Sequence, residues 1–290
     1  MKKVLVLAAA MMAVVMSAKA EVEFAYEAGA ELVSAYIWRG MYNGGLSFQP
    51  EGLVGFNALD EAIQFRAGVW ASVGASDWKF KKDGIQLDDY NQNTYFMPEV
   101  DFIASLTAYG ASVGFNEYYY CDDGSTHNSE IWFGYNFSHF FGDYAGAYFN
   151  WYTVVAGADK VFNEDAGLVS VVTGRESLVR QAFSTYIELG YDYSFEDYGL
   201  TLGFNMGMSP WASPLYGNEK FAVVNLGLKI DKEFDLDVCS LNIWATGSLN
   251  PDGLVTDKND PFYNVYVNAA GDDKLYNQKL NGAIGIGVWF

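Results

Sequence analysis

Apolar and polar side chains alternate with a period of two through most of this 290-residue chain. In one stretch Ile63, Phe65, Ala67, Val69, Ala71 and Val73 share a face, and Gln64, Arg66, Gly68, Trp70 and Ser72 share the other. In a second, Phe183, Thr185, Ile187, Leu189, Tyr191 and Tyr193 oppose Glu188 and Asp192. The last residues repeat the pattern: Leu280, Gly282, Ile284, Ile286, Val288 and Phe290 stand against Asn281, Ala283, Gly285, Gly287 and Trp289. Successive side chains leave a strand on opposite faces, so this period specifies strands with one apolar face. No later segment approaches the roughly eighteen uninterrupted apolar residues of a membrane helix. Aromatic residues make up 17% of the chain, with 30 Gly and only 6 Pro, a composition that favours strands.

The alternation predicts twelve strands, at about 31–40, 46–56, 62–73, 95–106, 110–120, 129–138, 143–153, 182–194, 199–208, 220–230, 236–247 and 279–290. Each can cross a bilayer at a tilt, which takes about 9 to 11 residues. The connections alternate in length. Asn57–Glu61, Thr107–Tyr109, His139–Gly142, Phe195–Tyr198 and Asp231–Asp235 are tight. Gly74–Thr94, Cys121–Asn128, Val154–Gln181, Ser209–Glu219 and Ser248–Gln278 are longer, and only Met41–Gly45 breaks the rule. Short turns at one end and long loops at the other are the pattern of an outer-membrane barrel. A chain that stops inside a strand fits closure, because the last strand of a barrel pairs with the first. The expected fold is therefore all-β, a transmembrane antiparallel β-barrel of twelve strands.

Lys2 and Lys3, the apolar stretch Val4–Met16 and the sequence Ala18-Lys19-Ala20 read as a secretory signal peptide. Residues 1–20 are thus expected to be removed and 21–290 to form the barrel. That removes three lysines and no acid, leaving 14 bases against 36 acids, a formal charge of −22. Such a balance excludes nucleic acid as a partner. Cys121 and Cys239 fall near opposite ends of the expected barrel, so no disulfide is expected.

The stretch Leu32–Gly45, LVSAYIWRGMYNGG, resembles the S-x-Y-x-x-R-G opening of the TorF-type porin family of Gram-negative bacteria. Gly68–Val73, Pro98–Gly110, Val113–Tyr120 and Asn128–Phe137 are similar, in order, to later strands of that family, and the likeness spans roughly residues 32–195. The resemblance implies a barrel in the cell outer membrane, in contact with lipid and lipopolysaccharide. The terminal Phe290 also resembles the signal read by the outer-membrane assembly machinery. The family supplies no substrate.

On the expected register the polar faces point inward. They carry Glu51, Glu99, Asp101, Glu130, Glu188 and Asp192 against Arg39, Arg66 and Lys229. Rings of carboxylates favour cations, whereas charges paired across the lumen would brace a closed barrel. Arg39 is ambiguous, because turning it inward turns Ile37 inward too unless a bulge intervenes. Trp70, Trp132, Tyr144, Tyr148, Tyr152, Tyr186, Trp244 and Trp289 share the inward parity. Such rings fill a narrow barrel or, in a second reading, stack sugars. Phe137, Trp151 and Tyr193 suit outward girdles.

Serine-histidine chemistry needs a base. His139 falls in a tight turn, and His127 in a loop near Ser125 and Ser129. The Cys121, Asp122, Asp123 and His127 cluster and the segment Asp257–Asp260 are weak metal patterns, the second lacking the Gly and Glu of a calcium loop. No catalytic residue, metal or cofactor is expected. The expected activity is passive diffusion of small polar or cationic solutes. The alternative is a closed structural or adhesion-type barrel whose long loops bind a partner or glycan. A lipid-modifying enzyme is the third and least favoured.

Overall fold

The computed structural model describes residues 22–74, 78–81, 84–87, 99–121, 127–138, 146–162, 179–218, 220–251 and 280–290. Residues 1–21, which include the expected signal peptide, lie outside these, as do Ser125, Asp122, Asp123, His139, Tyr144 and 252–279. The strands are β1 (Val22–Val33), β2 (Tyr36–Trp38), β3 (Met41–Gly44), β4 (Ser47–Ala58), β5 (Ile63–Gly74), β6 (Trp78–Lys81), β7 (Gly84–Leu87), β8 (Glu99–Ala108) and β9 (Ala111–Tyr120). They continue as β10 (His127–Asn136), β11 (Ala147–Gly157), β12 (Lys160–Phe162), β13 (Val179–Gln181), β14 (Thr185–Phe195), β15 (Leu200–Ser209), β16 (Ala222–Asp235), β17 (Ser240–Leu249) and β18 (Leu280–Trp289).

Twelve of these form one closed antiparallel barrel in the order β1-β18-β17-β16-β15-β14-β11-β10-β9-β8-β5-β4. The first and last strands close it, with Gly29 opposite Trp289 and Leu32 opposite Ile286. Phe290 exchanges backbone hydrogen bonds with Ala28, so the final residue belongs to the wall. Closure satisfies every strand edge, the requirement for a sheet that meets lipid. The period-two faces come out as expected. Phe102, Ile131, Leu228 and Ile284 are 53%, 51%, 65% and 63% exposed on the outside, whereas Asn281, Ala283, Gly285 and Gly287 are buried. Outward aromatics collect towards both rims: Phe24, Tyr26, Tyr193, Phe195 and Tyr198 at the turn end, Phe48, Tyr119, Trp211 and Phe221 at the loop end.

Several strand boundaries differ from expectation, among them β11, which runs Ala147–Gly157 rather than 143–153. The first barrel strand is Val22–Val33, not 31–40. The segment 34–46 leaves the wall and folds back as the hairpin β2–β3, so the first loop-end connection is not a short one. The penultimate turn lies at Leu236–Cys239 rather than Asp231–Asp235, because β16 extends to Asp235. Pairing through Asp235 and Ser240 satisfies backbone groups that the earlier turn would strand.

Four inward aromatics pave the wall. The rings of Trp132, Tyr148, Trp244 and Trp289 lie over Gly114, Gly190, Gly285 and Gly29 of neighbouring strands, where an added Cβ would sit 2.3, 2.0, 2.4 and 2.3 Å from ring atoms. Only glycine permits that approach.

Candidate functional site

The hairpin β2–β3 is the feature around which the interior is organised. Trp38 pairs with Met41, leaving Arg39 and Gly40 as a two-residue turn with φ of 50° and 81°. Positive φ at both central residues is the type I′ hairpin turn. Arg39 holds it at a steric penalty of about 1 kcal/mol for a side-chain-bearing residue. Its side-chain contacts offset that penalty. Arg39 Nη1 and Nη2 donate to the two carboxylate oxygens of Glu130 at 2.7 and 2.8 Å, and Nη1 also donates to the Tyr216 hydroxyl at 2.6 Å. The guanidinium carbon lies 4.4, 4.1 and 5.1 Å from the ring centroids of Trp38, Tyr152 and Tyr186.

Glu130 is fully buried and the Arg39 side chain 8% exposed. Glu130 Oε1 also accepts from Tyr118 Oη at 2.7 Å and Asn116 Nδ2 at 3.3 Å, so that oxygen takes three donors. Burial works against the Arg39 charge, yet Glu130, with Tyr216 and Tyr118, holds the guanidinium pKa well above its ordinary value. Tyr216 comes from the loop between β15 and β16 and stacks on Trp38 with centroids 5.9 Å apart. Two segments thus fold into the loop end and meet at Arg39. Asn281 Nδ2 donates to the Gly40 carbonyl at 2.7 Å and ties the hairpin tip to β18.

Below the hairpin lies a cavity of about 400 Å³, bordered by Trp38, Arg39, Tyr152, Glu188, Asn205, Asn225 and Ser248. A second, of about 320 Å³, shares Glu188 and reaches Tyr148, Asn150 and Asp192 towards the turn end. Glu188 accepts from Tyr186 Oη at 2.8 Å and Asn205 Nδ2 at 2.7 Å.

The strand register places Glu51, Arg66, Glu99, Asp101, Glu130, Glu188, Asp192 and Lys229 on the inward parity. They do not form one constellation. Glu188 and Asp192 border the cavities. Glu99 and Asp101 are buried at the wall beneath the hairpin, where Tyr36 packs on Trp70 at 5.4 Å. Arg66 is committed to the turn end, donating to the Phe56 and Phe65 carbonyls and to Asn57 Oδ1. Lys229 stands 3.5 Å from Asp231 and 5.6 Å from the Trp244 ring. Arg39 reaches the interior from the turn of a hairpin rather than from a wall strand, and a register shift like the expected bulge falls between Tyr36 and Ile37.

The true first strand adds Glu23, Glu27 and Glu31 to the inward face, and the longer β16 adds Asp231, Glu233 and Asp235. The alternation of Val22, Phe24 and Tyr26 against Glu23 and Glu27 was the signal for the first three.

His127 begins β10 on the outward face and is not a loop residue. Glu117 Oε1 lies 2.5 Å from His127 Nδ1, and Ser129 Oγ donates to Glu117 Oε2 at 2.6 Å. The carboxylate therefore stands between serine and imidazole, whereas nucleophile activation needs the imidazole between the other two. Cys121 and Cys239 are free thiols at opposite ends of the barrel. Among the described residues no group of three or more His, Cys, Asp or Glu is placed to hold a metal.

No protein-family model and no curated protein matches the chain. Its fold is similar to that of solved structures including Pseudomonas aeruginosa OccK2 (OpdF), 12% identical over 80% of this chain and 56% of that one, with a TM-score of 0.28. Salmonella typhi OmpF in complex with daunomycin is 11% identical over 93% of this chain and 98% of that one, with a TM-score of 0.35. A BenF-like porin from Pseudomonas fluorescens Pf-5 is 10% identical over 83% and 61%, with a TM-score of 0.26. The chain spans little more than half the length of OccK2. Likeness at these scores adds nothing to what the strand pairing itself establishes.

Proposed function

We propose that this chain is a transmembrane barrel of the Gram-negative outer membrane that passes small polar or cationic solutes by passive diffusion. The observation that carries the reading is the imbalance of charge on the inward face. Carboxylates from Glu23 to Asp235 far outnumber Arg39, Arg66 and Lys229, and each of these bases is already engaged. A carboxylate-lined lumen concentrates cations and repels anions. The apolar outer belt and the two aromatic rims support the membrane assignment. The TorF-like motifs, the expected leader at residues 1–20 and the closing strand support export and outer-membrane assembly, with lipopolysaccharide and the assembly machinery as partners. The Glu117-centred cluster supports no hydrolase.

Single-channel conductance of refolded protein in planar bilayers, with reversal potential in a salt gradient, tests the reading. Stable steps with cation preference are expected, and Glu188→Gln with Asp192→Asn should reduce that preference. The second reading, a closed barrel whose long loops bind a partner or glycan, draws on the hairpin and Tyr216 packed into the loop end. Silence from protein shown to be folded would favour it and end the diffusion reading.

A further inference from the structure

Glu99 and Asp101 stand two residues apart on the inward face of β8 and are 5% and 6% exposed. Asp101 Oδ1 has no hydrogen-bond partner among the described residues. No Arg, Lys or His whose side chain is described pairs with either carboxylate, the nearby Arg39 being bound to Glu130. Two carboxylates buried without a counter-charge are expensive, and one with an open oxygen more so. Hydroxyl oxygens stand on the neighbouring strands, and the nearby Glu130 carboxylate is already held by Arg39. Tyr120 lies opposite Glu99 across the β8–β9 pair. Ser72 lies opposite Glu99 across the β5–β8 pair, and Tyr118 opposite Asp101 across β8–β9. Tyr36 of the hairpin packs on Trp70, which lies opposite Asp101 across the β5–β8 pair.

We propose that Glu99 and Asp101, beneath the hairpin, bind a hard divalent cation of the calcium class. The donor set is oxygen alone, which selects hard cations over zinc or copper. Two carboxylates neutralise one divalent charge, and the calcium shell tolerates irregular geometry and is completed by hydroxyls and water. Bound there, the cation joins β8 to the hairpin through Tyr36 and gives the hairpin a second anchor beside the Arg39–Glu130 pair. The site does not depend on whether the lumen conducts.

Terbium, a calcium surrogate excited through nearby tyrosine and tryptophan, is a suitable probe on the full chain folded in detergent. Wild type should show one saturable site displaced by calcium. Asp101→Asn and Glu99→Gln should each weaken it by more than about tenfold. Glu233→Gln, at the far end of the barrel, should leave it intact. Folding of each variant is checked by heat-resistant gel mobility. No saturable site in wild type, wild-type affinity in Asp101→Asn, or an equal loss in Glu233→Gln would overturn the proposal.

Discussion

Glu130→Gln gives the sharpest test of the hairpin's role. In the native protein both Glu130 oxygens face the Arg39 guanidinium at 2.7 and 2.8 Å in a buried site. Glutamine keeps the volume but leaves Arg39 buried without its counter-charge. Removing one partner of a buried pair costs about 3–5 kcal/mol. Arg39 sits on a hairpin whose two short strands pair only with each other, so the molecule can relieve the penalty by releasing the hairpin while the barrel stays closed. A penalty of that size moves the docked-to-released ratio by roughly 10²- to 10³-fold. Trypsin cuts after arginine, and the Arg39–Gly40 bond is protected only while the hairpin is docked. The expected result is rapid cleavage at Arg39 in Glu130→Gln, slow cleavage in wild type, and unchanged heat-resistant mobility in both. Equal protection of the two proteins would refute the idea that this ion pair docks the hairpin.

Tyr216→Phe removes one acceptor from a buried guanidinium and should destabilise docking by about 1–2 kcal/mol, seen as intermediate trypsin sensitivity. Gly114→Ala would place a methyl 2.3 Å from the Trp132 ring, so a loss of about 1–3 kcal/mol is expected in urea unfolding from lipid vesicles. Adding Trp132→Leu should recover part of that loss. Lys229→Gln removes an inward base beside Asp231 and should strengthen the cation preference read from the reversal potential. An unchanged or weaker preference would count against the lumen as the selectivity element.

The charged candidates illustrate how far sequence reading reaches. Parity assigned Glu188, Asp192 and Lys229 to the interior, because once a strand is recognised its side chains alternate without reference to the rest of the fold. Glu23 and Glu27 lie outside the expected first strand, 31–40, which is centred on the aromatic segment Tyr36–Ile37–Trp38. That segment is flanked by protein on both faces inside the barrel. It has no lipid side and no need to alternate, which also explains why Ile37 and Arg39 conflicted on any strand register.

The amino-acid pattern alone was enough to specify twelve antiparallel strands, their closure and the side on which most residues lie. Those properties follow from strand period and from the need to satisfy backbone groups in lipid, and both are local or generic. Tertiary structure alone decided where the hairpin goes. Its anchor unites Arg39 with Glu130, 91 positions away, and with Tyr216, 177 positions away. A contact across such separations leaves no periodic trace in the chain, since each partner only has to be a suitable residue at a suitable height on its own strand or loop.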